Sequence, residues 1–447
     1  MADRTMKLVA FLQAQNCSNY PGSWRHRESS PGFLTADYYR RIAQILEEAK
    51  FHVAFFDDRL AMPDRYGDDF AESVRNGVRV VKLDLIPLLT VMGMSTRCLG
   101  LGGTYSTSYH EPFHVARVFA TLDHMVGGRA AWNVVTSLNN SEAANFGARE
   151  HLDHDTRYDR ADEFMEAVLG HWDSWADDAI VFDREADVFA DPAKVRRIEH
   201  AGRWFRTRGP FTVPRTPQGR PVIMQAGQSG RGRRFAGRWG ELLFVAQHSI
   251  PRAQEEYRLI KDEVAGAGRD PDLVSICPAI YTVVAETQAE AEARDEYVQS
   301  LARPIDALAL LSEGLNFDFS TKGLDDPFTA EELDSISGLQ ALRDRVIRAA
   351  GKPNPTVRDF IELSGRGTVR DHPRFVGTPR QVVDQMEQWF AERACDGFVI
   401  AATHVPGAYE EFATMVVPEL QRRGLFHRDY AGLTLRENLG LPVPSRA

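Results

Sequence analysis

The sequence of 447 residues has few of the features that mark secreted, membrane-spanning or nucleic-acid-binding proteins. No apolar run approaches the roughly 18 residues that span a bilayer, and residues 1–16 lack the pattern of a secretion signal. The chain has 53 Lys and Arg residues against 63 Asp and Glu residues, a net charge of −10, and no basic block. Because binding to a phosphate backbone depends on clustered basic side chains, neither a nucleic acid nor a membrane is expected as a partner.

Cysteine is also scarce. The four cysteines are widely separated and form no Cys-x-x-Cys pair: Cys17, Cys98, Cys277 and Cys395. Neither a disulfide framework nor a zinc ribbon is therefore predicted, and a reduced cytoplasmic protein is the simplest interpretation.

Several catalytic motifs are missing. There is no Walker A sequence and no Gly-x-Gly-x-x-Gly fingerprint, so a redox enzyme built from this chain would receive its electrons from elsewhere. Ser106 and Ser108 lack the Gly-x-Ser-x-Gly context of a serine hydrolase. The His-x-His pair on the first strand of barrel hydrolases is absent too, and no metal site is expected.

What the sequence does contain is a repeated alternation of short apolar runs and amphipathic segments, which indicates a parallel α/β sheet. The predicted strands are residues 7–12, 53–56, 98–104, 130–135, 221–226, 242–246, 276–285 and 397–401. Predicted helices include residues 38–50, 87–96, 112–125, 158–172, 230–239 and 379–394. Eight such units favour a (β/α)₈ TIM barrel over an open sheet.

Four long stretches interrupt this alternation, at residues 58–85, 136–157, 173–219 and 303–375. Barrels accept insertions of this size as excursions, so the whole chain, residues 1–447, is predicted to be one domain rather than three. In the last stretch, residues 317–328 are predicted to be a loop and residues 330–350 a helix, which together could form a lid.

A glycine-rich segment, MQAGQSGRGRR at residues 224–234, follows a predicted strand and opens a helix. The free N–H groups and the positive dipole at the start of a helix favour an anion, and glycines let a phosphate approach the backbone. Ser229 could donate a hydroxyl, and Arg231, Arg233 or Arg234 could add charge. The alternative is a simple turn followed by a solvated basic helix face.

Residues 151–162 concentrate two histidines and four aspartates. The segment is either the start of a helix capped by Asp155 or Thr156, or a source of hydrogen-bond donors, His154 and Tyr158, for an anionic ligand; metal ligation by His151, His154 and Asp155 fits no standard zinc spacing. Three further polar residues, Asp58, Thr104 and Ser137, lie at or just past the ends of predicted strands, where barrels bind ligands.

Together these segments resemble a known family. WNVVTS (132–137), NFG (145–147), HDTRYDRADEF (154–164), PVIMQAGQSGRGRRFAG (221–237) and VVPELQRRG (416–424) are similar to the class C flavin-dependent monooxygenases of the bacterial-luciferase superfamily. The likeness points to the branch that contains nitrilotriacetate, dibenzothiophene-sulfone and long-chain-alkane monooxygenases. It implies a TIM barrel with insertions, in agreement with the eight strand–helix units.

The resemblance also implies a site. Reduced FMN would lie at the C-terminal mouth of the barrel. Matched by motif, its phosphate would be bound by Ser137, His154, Tyr158 and the turn from Gly227 to Ser229, with Asp58 and Thr104 nearer the ring system. Phe11, Phe55 and Phe244 are candidates for an apolar substrate wall, although ordinary core packing would explain them equally well. Trp24 and His26 could close the pocket.

The implied reaction has two components. A separate NAD(P)H:flavin reductase would make FMNH₂, which would diffuse to this protein and react with O₂ to oxygenate a xenobiotic or secondary metabolite. The missing nucleotide fingerprint agrees with that division of labour. A homo-oligomer, dimer or tetramer, is expected. The alternatives are a deazaflavin-dependent oxidoreductase of the same superfamily, a non-catalytic flavin-binding protein and a metal-dependent barrel hydrolase.

One departure limits the assignment of a substrate. Family members that act on aromatic sulfones carry a histidine in the insertion before the last unit, whereas the corresponding residues 311–317, LSEGLNF, contain none. Sulfone oxygenation by the same residues is therefore not expected, and the catalytic residues are left unassigned.

Overall fold

The structure, a computed structural model, describes residues 4–148 and 151–446. Residues 149 and 150, which fall in the predicted insertion 136–157, lie outside the described residues. The strands within the described ranges are β1 (Lys7–Gln13), β2 (Val53–Asp57), β3 (Gly100–Ser106), β4 (Ala130–Val135), β5 (Ile180–Asp183), β6 (Val188–Ala190), β7 (His200–Ala201), β8 (Arg206–Thr207), β9 (Val222–Gln225), β10 (Leu242–Val245), β11 (Ser275–Val284), β12 (Arg374–Gly377) and β13 (Gly397–Ala401).

Eight of these strands form a closed parallel barrel in the order β1-β2-β3-β4-β9-β10-β11-β13, and β13 pairs again with β1. They are the eight strands predicted from the sequence, so the TIM-barrel prediction is confirmed. The register runs without interruption from Lys7 opposite Gly397 to Phe11 opposite Ala401. β12 extends the sheet outside the ring by pairing with the second half of β11.

The helices cover the outside of the barrel and fill its insertions. They are α1 (Ala36–Glu48), α2 (Ala71–Asn76), α3 (Leu85–Met94), α4 (Pro112–Met125), α5 (Asn140–Asn145), α6 (His154–Trp172), α7 (Gly230–Trp239), α8 (Ile250–Gly266), α9 (Gln288–Ser300), α10 (Pro304–Leu315), α11 (Ala330–Ser335), α12 (Gln340–Ala350), α13 (Val357–Ser364), α14 (Pro379–Ala391), α15 (Gly407–Glu411), α16 (Val417–Arg422) and α17 (Leu435–Leu439). None of the described helices is long and apolar enough to cross a membrane.

Strand periodicity decides which side chains reach the inside of the barrel, because successive residues of a strand point to opposite faces. Leu8 and Ala10 pack outward against the helices, whereas Val9 and Phe11 belong to the inner cluster. Phe55 on β2 belongs to the same inner cluster, and Phe244 on β10 packs against it. Phe11 stands near the C-terminal end of its strand and so toward the mouth of the barrel.

The insertion 303–375 differs from its predicted form. Residues 330–350 form two helices, α11 and α12, separated near Gly338, where a Cβ would lie 2.1 Å from the carbonyl oxygen of Gly314. This close approach to α10 explains the break. The stretch also contains the buried helix α10, which the irregular composition of its surroundings hid. The assignment of one domain with four insertions stays a prediction.

The start of α6 also differs from expectation. The residue that caps it is Asp153, whose carboxylate accepts the N–H of Thr156 at 3.0 Å, rather than Asp155 or Thr156 themselves. Placing the cap two or three residues earlier makes His154 the first helical residue. Its ring is exposed there and faces the start of α7.

Candidate functional site

Polar residues collect at the mouth of the barrel, where the strands end. Asp58 directly follows β2, Thr104 lies near the end of β3, Ser137 follows β4, and Ser229 ends the turn after β9. Because the carboxyl ends of parallel barrel strands meet at one face, these residues surround a common space. The structure therefore gathers side chains that are distant in sequence.

The turn after β9 leads directly into α7, and Ser229 is its N-cap. The Ser229 hydroxyl oxygen accepts the N–H of Gly232 at 3.0 Å. His154 Nε2 lies 3.2 Å from the same oxygen, while His154 Nδ1 lies 2.7 Å from Asp155 Oδ1. With Nδ1–H donating to Asp155, Nε2 is left as the acceptor of the serine proton. The helix start thus combines free N–H groups, a hydroxyl and an imidazole.

Tyr158 lies against this turn. Its side chain is buried, and burial raises the pKa of its phenol, so the hydroxyl keeps its proton. A Cβ on Gly227 would lie 2.7 Å from Tyr158 Oη and 2.4 Å from Gln225 Nε2, and a Cβ on Gly232 would lie 2.9 Å from Tyr158 Oη. Only glycine lets the backbone come this close to the phenol, which explains why both positions lack a side chain.

Ser137 completes the group from the β4 side. It has φ +54°, and its hydroxyl donates to Ser106 Oγ at 2.9 Å. Its carbonyl accepts a hydrogen bond from the guanidinium of Arg157, which is largely buried and whose Nε has no partner among the described residues. Burial lowers the pKa of Arg157, and its charge in turn lowers the pKa of Tyr158. Arg157 is thus a cation close to Tyr158.

Sequence reasoning missed Arg157 although it lies within the quoted motif, and placed the charge on α7 instead. There, Arg231 donates to Asp159 and Asp162, and Arg233 donates to Gln228 O at 2.7 Å. Arg234 is exposed on the outer face of the helix. The α7 arginines that make these bonds are thus paired with carboxylates or with a backbone carbonyl, whereas Arg157 lies on α6 beside Tyr158.

Asp58 and Thr104 lie deeper in the mouth. Asp58 accepts the N–H of Arg59 at 2.8 Å, and burial raises its pKa to about 7 against the opposing effect of Lys82. The Thr104 hydroxyl donates to Phe56 O at 2.7 Å and accepts from Asn133 Nδ2 at 2.9 Å. Lys82 Nζ is buried without a hydrogen-bond partner among the described residues. Polar groups with unused hydrogen-bonding capacity therefore line this part of the mouth.

The three phenylalanines predicted as an apolar wall lie together. Phe11 stacks on Phe55 with ring centroids 5.5 Å apart, and Phe244 contacts Phe11 at 5.2 Å and Phe55 at 6.3 Å. Phe244 is the most exposed of the three. The group forms a continuous aromatic surface on the inner side of β1, β2 and β10.

Trp24 and His26 make their contacts elsewhere. The indole of Trp24 donates to Asn76 O at 2.8 Å and is 44% exposed. His26 stacks on His404 at 3.9 Å. With Glu28, these two histidines are the one group in the described part of the chain whose donor atoms suit a shared ion. Because the imidazole planes are nearly parallel, a single ion could not lie in both ring planes, so the arrangement does not favour a metal.

The three residues considered as metal ligands do not converge either. His151 bonds to Tyr109 Oη and to the carbonyl of Asn139, whereas His154 lies between Asp155 and Ser229. A hydrogen-bonding role for His154 is the interpretation that the geometry favours.

A second polar group, which sequence reasoning missed altogether, lies beside the aromatic wall. Asn19 Nδ2 is 3.2 Å from Asp371 Oδ2, 3.3 Å from Tyr281 Oη and 3.4 Å from His372 Nε2. His372 also packs edge-on against Phe244 at 6.1 Å. These residues come from the first loop, β11 and the end of the last insertion, so no local motif could reveal them.

Comparison with known proteins agrees with this geometry. A family model described as luciferase-like monooxygenase matches residues 6–397. The dibenzothiophene-sulfone monooxygenase of Rhodococcus erythropolis is 46% identical over 99% of this chain and 98% of its own length. Nitrilotriacetate monooxygenase component A of Aminobacter aminovorans is 38% identical over 100% and 98%, respectively. A solved riboflavin lyase with modified FMN and riboflavin superposes with a TM-score of 0.89, at 34% identity over 99% of this chain and 97% of that one.

Proposed function

The chain belongs to the luciferase-like monooxygenase family, a family of flavin-dependent enzymes, and from that premise we propose that it is a two-component monooxygenase. It uses FMNH₂ from a separate NAD(P)H:flavin reductase, together with O₂, to oxygenate a xenobiotic or secondary metabolite. The observation that carries this proposal is the polar turn at the start of α7. It is formed by Gly227, Ser229, Gly232, His154 and Tyr158 and is called the cradle here. Its polar groups suit the phosphate of FMN.

The polar groups of the cradle suit a phosphate. Gly227 and Gly232 let the backbone approach Tyr158 Oη closely, and the hydroxyls of Ser229 and Tyr158 lie at this turn with the ring of His154. The positive end of the α7 dipole favours a dianion. Arg157 supplies a formal charge, and its Nε–H has no partner among the described residues. We assign the phosphate of FMN to this cradle, with Ser137 on its β4 side.

The ring system would then extend toward Asp58 and Thr104. Bound FMNH₂ would supply the electrons that activate O₂. The chain's own contribution is to hold the ring and to keep water away from it, because a dry site limits wasteful loss of activated oxygen. Phe11, Phe55 and Phe244 provide the apolar surface for that role and for the substrate.

The proposed protein partner is a flavin reductase, which would do what a nucleotide-binding motif would do in a one-component enzyme. Its sequence has no dinucleotide fingerprint, so a reductase must oxidise the nicotinamide cofactor and release reduced flavin. One relative is named as component A of its enzyme, which suits a division into separate components. We further propose a single catalytic domain, a cytoplasmic location and a homo-oligomeric state.

Rapid mixing tests the function. The protein is mixed anaerobically with FMNH₂ and then with oxygenated buffer, and the absorbance decay is compared with that of free FMNH₂. The proposal predicts an oxygen-dependent transient that outlives the free-flavin reaction and yields less hydrogen peroxide. A decay identical to that of free flavin would leave a flavin-binding protein without oxygenase chemistry.

Two further measurements separate the alternatives. Tighter binding of a reduced deazaflavin than of FMNH₂ would point to a deazaflavin-dependent oxidoreductase. Stoichiometric bound metal, with activity lost to a chelator, would point to a barrel hydrolase. The proposal predicts a preference for FMNH₂ and no effect of the chelator.

A further inference from the structure

Arg366 is a cation without a partner in the described part of the chain. It lies in the turn between α13 and β12, and its guanidinium makes no hydrogen bond or ion pair with any of the described residues. Arg366 is half-buried, and burial lowers its pKa to about 10. Leaving a partly desolvated charge unpaired is unfavourable, so such a group in a native structure suits an anion from outside the described part of the chain.

Neighbouring arginines add to the positive charge around Arg366. Arg79, Arg345 and Arg59 are close enough to Arg366 to lower its pKa further, and Asp371 is the carboxylate that opposes them. Arg59 is paired with Glu313 at 3.6 Å. The region therefore gathers four guanidinium groups, and carboxylates oppose their charge at Arg366, through Asp371, and at Arg59, through Glu313.

Two of these arginines donate their hydrogen bonds to neutral groups. Arg79 donates to the carbonyl and side-chain oxygens of Asn19 at 2.7 and 2.6 Å. Arg345 donates to Ser364 O at 2.8 Å and contacts His248 Nε2 at 3.0 Å. The Nε of each is buried without a partner in the described part of the chain. Their charge thus remains available to an anion.

His372 adds a directed donor. Because Asn19 Oδ1 accepts from Arg79, its Nδ2 is the donor toward His372 Nε2, which leaves the proton of the neutral ring on Nδ1. Burial lowers the pKa of His372, so the ring is neutral at pH 7. His372 is 8% exposed, and its Nδ1 has no partner among the described residues. A buried N–H without an acceptor thus stands next to the unpaired guanidinium.

The other side of this region is apolar. The His372 ring lies 6.1 Å from that of Phe244, which in turn packs on Phe11 and Phe55. A ligand that satisfies both sides has an apolar body and an oxyanion at one end. Arg366 and His372 are distinct from Ser229, His154 and Tyr158, the residues assigned to the phosphate.

We propose that Arg366, assisted by the Nδ1–H of His372, binds an oxyanion of the substrate while the aromatic wall holds the apolar part. The substrate class is then an organic acid, carrying a carboxylate or a sulfur oxyacid group. That this ligand is the one oxygenated rests on the proposed function, whereas the binding site stands on the geometry alone.

The test uses benzoate and benzamide, two probes of equal shape that differ in charge, titrated calorimetrically into the flavin-free protein. We expect benzoate to bind at least tenfold more tightly than benzamide. Arg366→Met should reduce the preference to less than twofold, and Arg366→Lys should restore part of it. The matched control is Arg370→Met, since the exposed Arg370 lies in the same turn and contacts Gln299 at 3.1 Å.

A second measurement needs no variant. Crystals of the wild-type protein soaked with 4-bromobenzoate should show the anomalous bromine signal beside Phe244 and the carboxylate at Arg366. Equal affinity for benzoate and benzamide in the wild-type protein, or bromine elsewhere, would overturn the proposal. If Arg366→Met weakens binding of both FMN and riboflavin by tenfold or more, Arg366 belongs to the flavin site and the proposal is wrong. Normal benzoate results with no oxygen-dependent transient would instead reject only the proposed function.

Discussion

Replacing Ser229 by alanine tests the phosphate cradle at its centre. The Ser229 hydroxyl caps α7 through Gly232 N at 3.0 Å and lies 3.2 Å from His154 Nε2. The variant removes the cap, which costs about 1 kcal/mol of protein stability. It also removes a donor to a charged phosphate, which is worth about 1.5–3 kcal/mol of binding energy. The Kd for FMN should therefore rise by about 10- to 150-fold.

Riboflavin, which lacks the phosphate, separates these two effects. Its affinity should change less than threefold in Ser229→Ala, because the ring contacts lie elsewhere. The assay is anaerobic calorimetric titration of FMNH₂ and reduced riboflavin into both proteins. Thr378→Ala is the matched control: Thr378 caps α14 in the same way, through Gln381 N, so this variant should lose stability without losing FMN affinity. An equal loss for FMN and riboflavin would refute the reasoning.

Three further predictions concern charge and packing. Burial raises the folded-state pKa of Asp58 to about 7, so between about pH 4 and 7 the native state keeps a proton that the unfolded chain loses. The free energy of unfolding of the wild-type protein therefore falls as the pH rises through this window. Asp58→Asn avoids this fall, so its free energy of unfolding, measured with urea, should rise by roughly 1 kcal/mol or more relative to wild type from pH 5 to pH 8. Asp173→Asn should lose about 3 kcal/mol of unfolding free energy in the same assay, because the buried carboxylate binds Arg215 and Arg220. Asp178→Asn, which removes an exposed ion pair, should leave the unfolding free energy nearly unchanged. Phe244→Ala should leave FMN affinity unchanged but release severalfold more hydrogen peroxide per FMNH₂ oxidised, measured with a peroxidase-coupled dye; unchanged peroxide would remove Phe244 from the wall.

The barrel could be predicted because its strands are recognisable from the local sequence. A strand buried on both faces is a continuous apolar run, as in β1 and β13, and each barrel strand of this kind stood out from its polar surroundings. The insertion 303–375 was harder. α10 is buried over nearly its whole length, so it has no polar face to give a helical period, and the break near Gly338 depends on a tertiary contact with Gly314.

The candidate site likewise has a part that a local motif predicts and a part that depends on tertiary contacts. Ser229 and Gly227 belong to one strand–turn–helix unit, and a local motif is enough to predict an anion site there. The partners of a charged side chain depend on the folded structure, so the sequence alone could not show that Arg231 pairs with carboxylates of α6. Nor could it show that Arg157 Nε has no partner in the part of the chain that the structure describes. Arg366, His372 and Asn19 meet only because the last insertion folds back over the barrel mouth.

A crystal structure of the protein with FMN bound tests the central claim most directly. We predict the phosphate within hydrogen-bond distance of Ser229 Oγ and Tyr158 Oη, with the guanidinium of Arg157 beside it and the ring system directed toward Asp58 and Thr104. FMN bound with its phosphate away from the start of α7, or bound outside the barrel mouth, would contradict the assignment of the site.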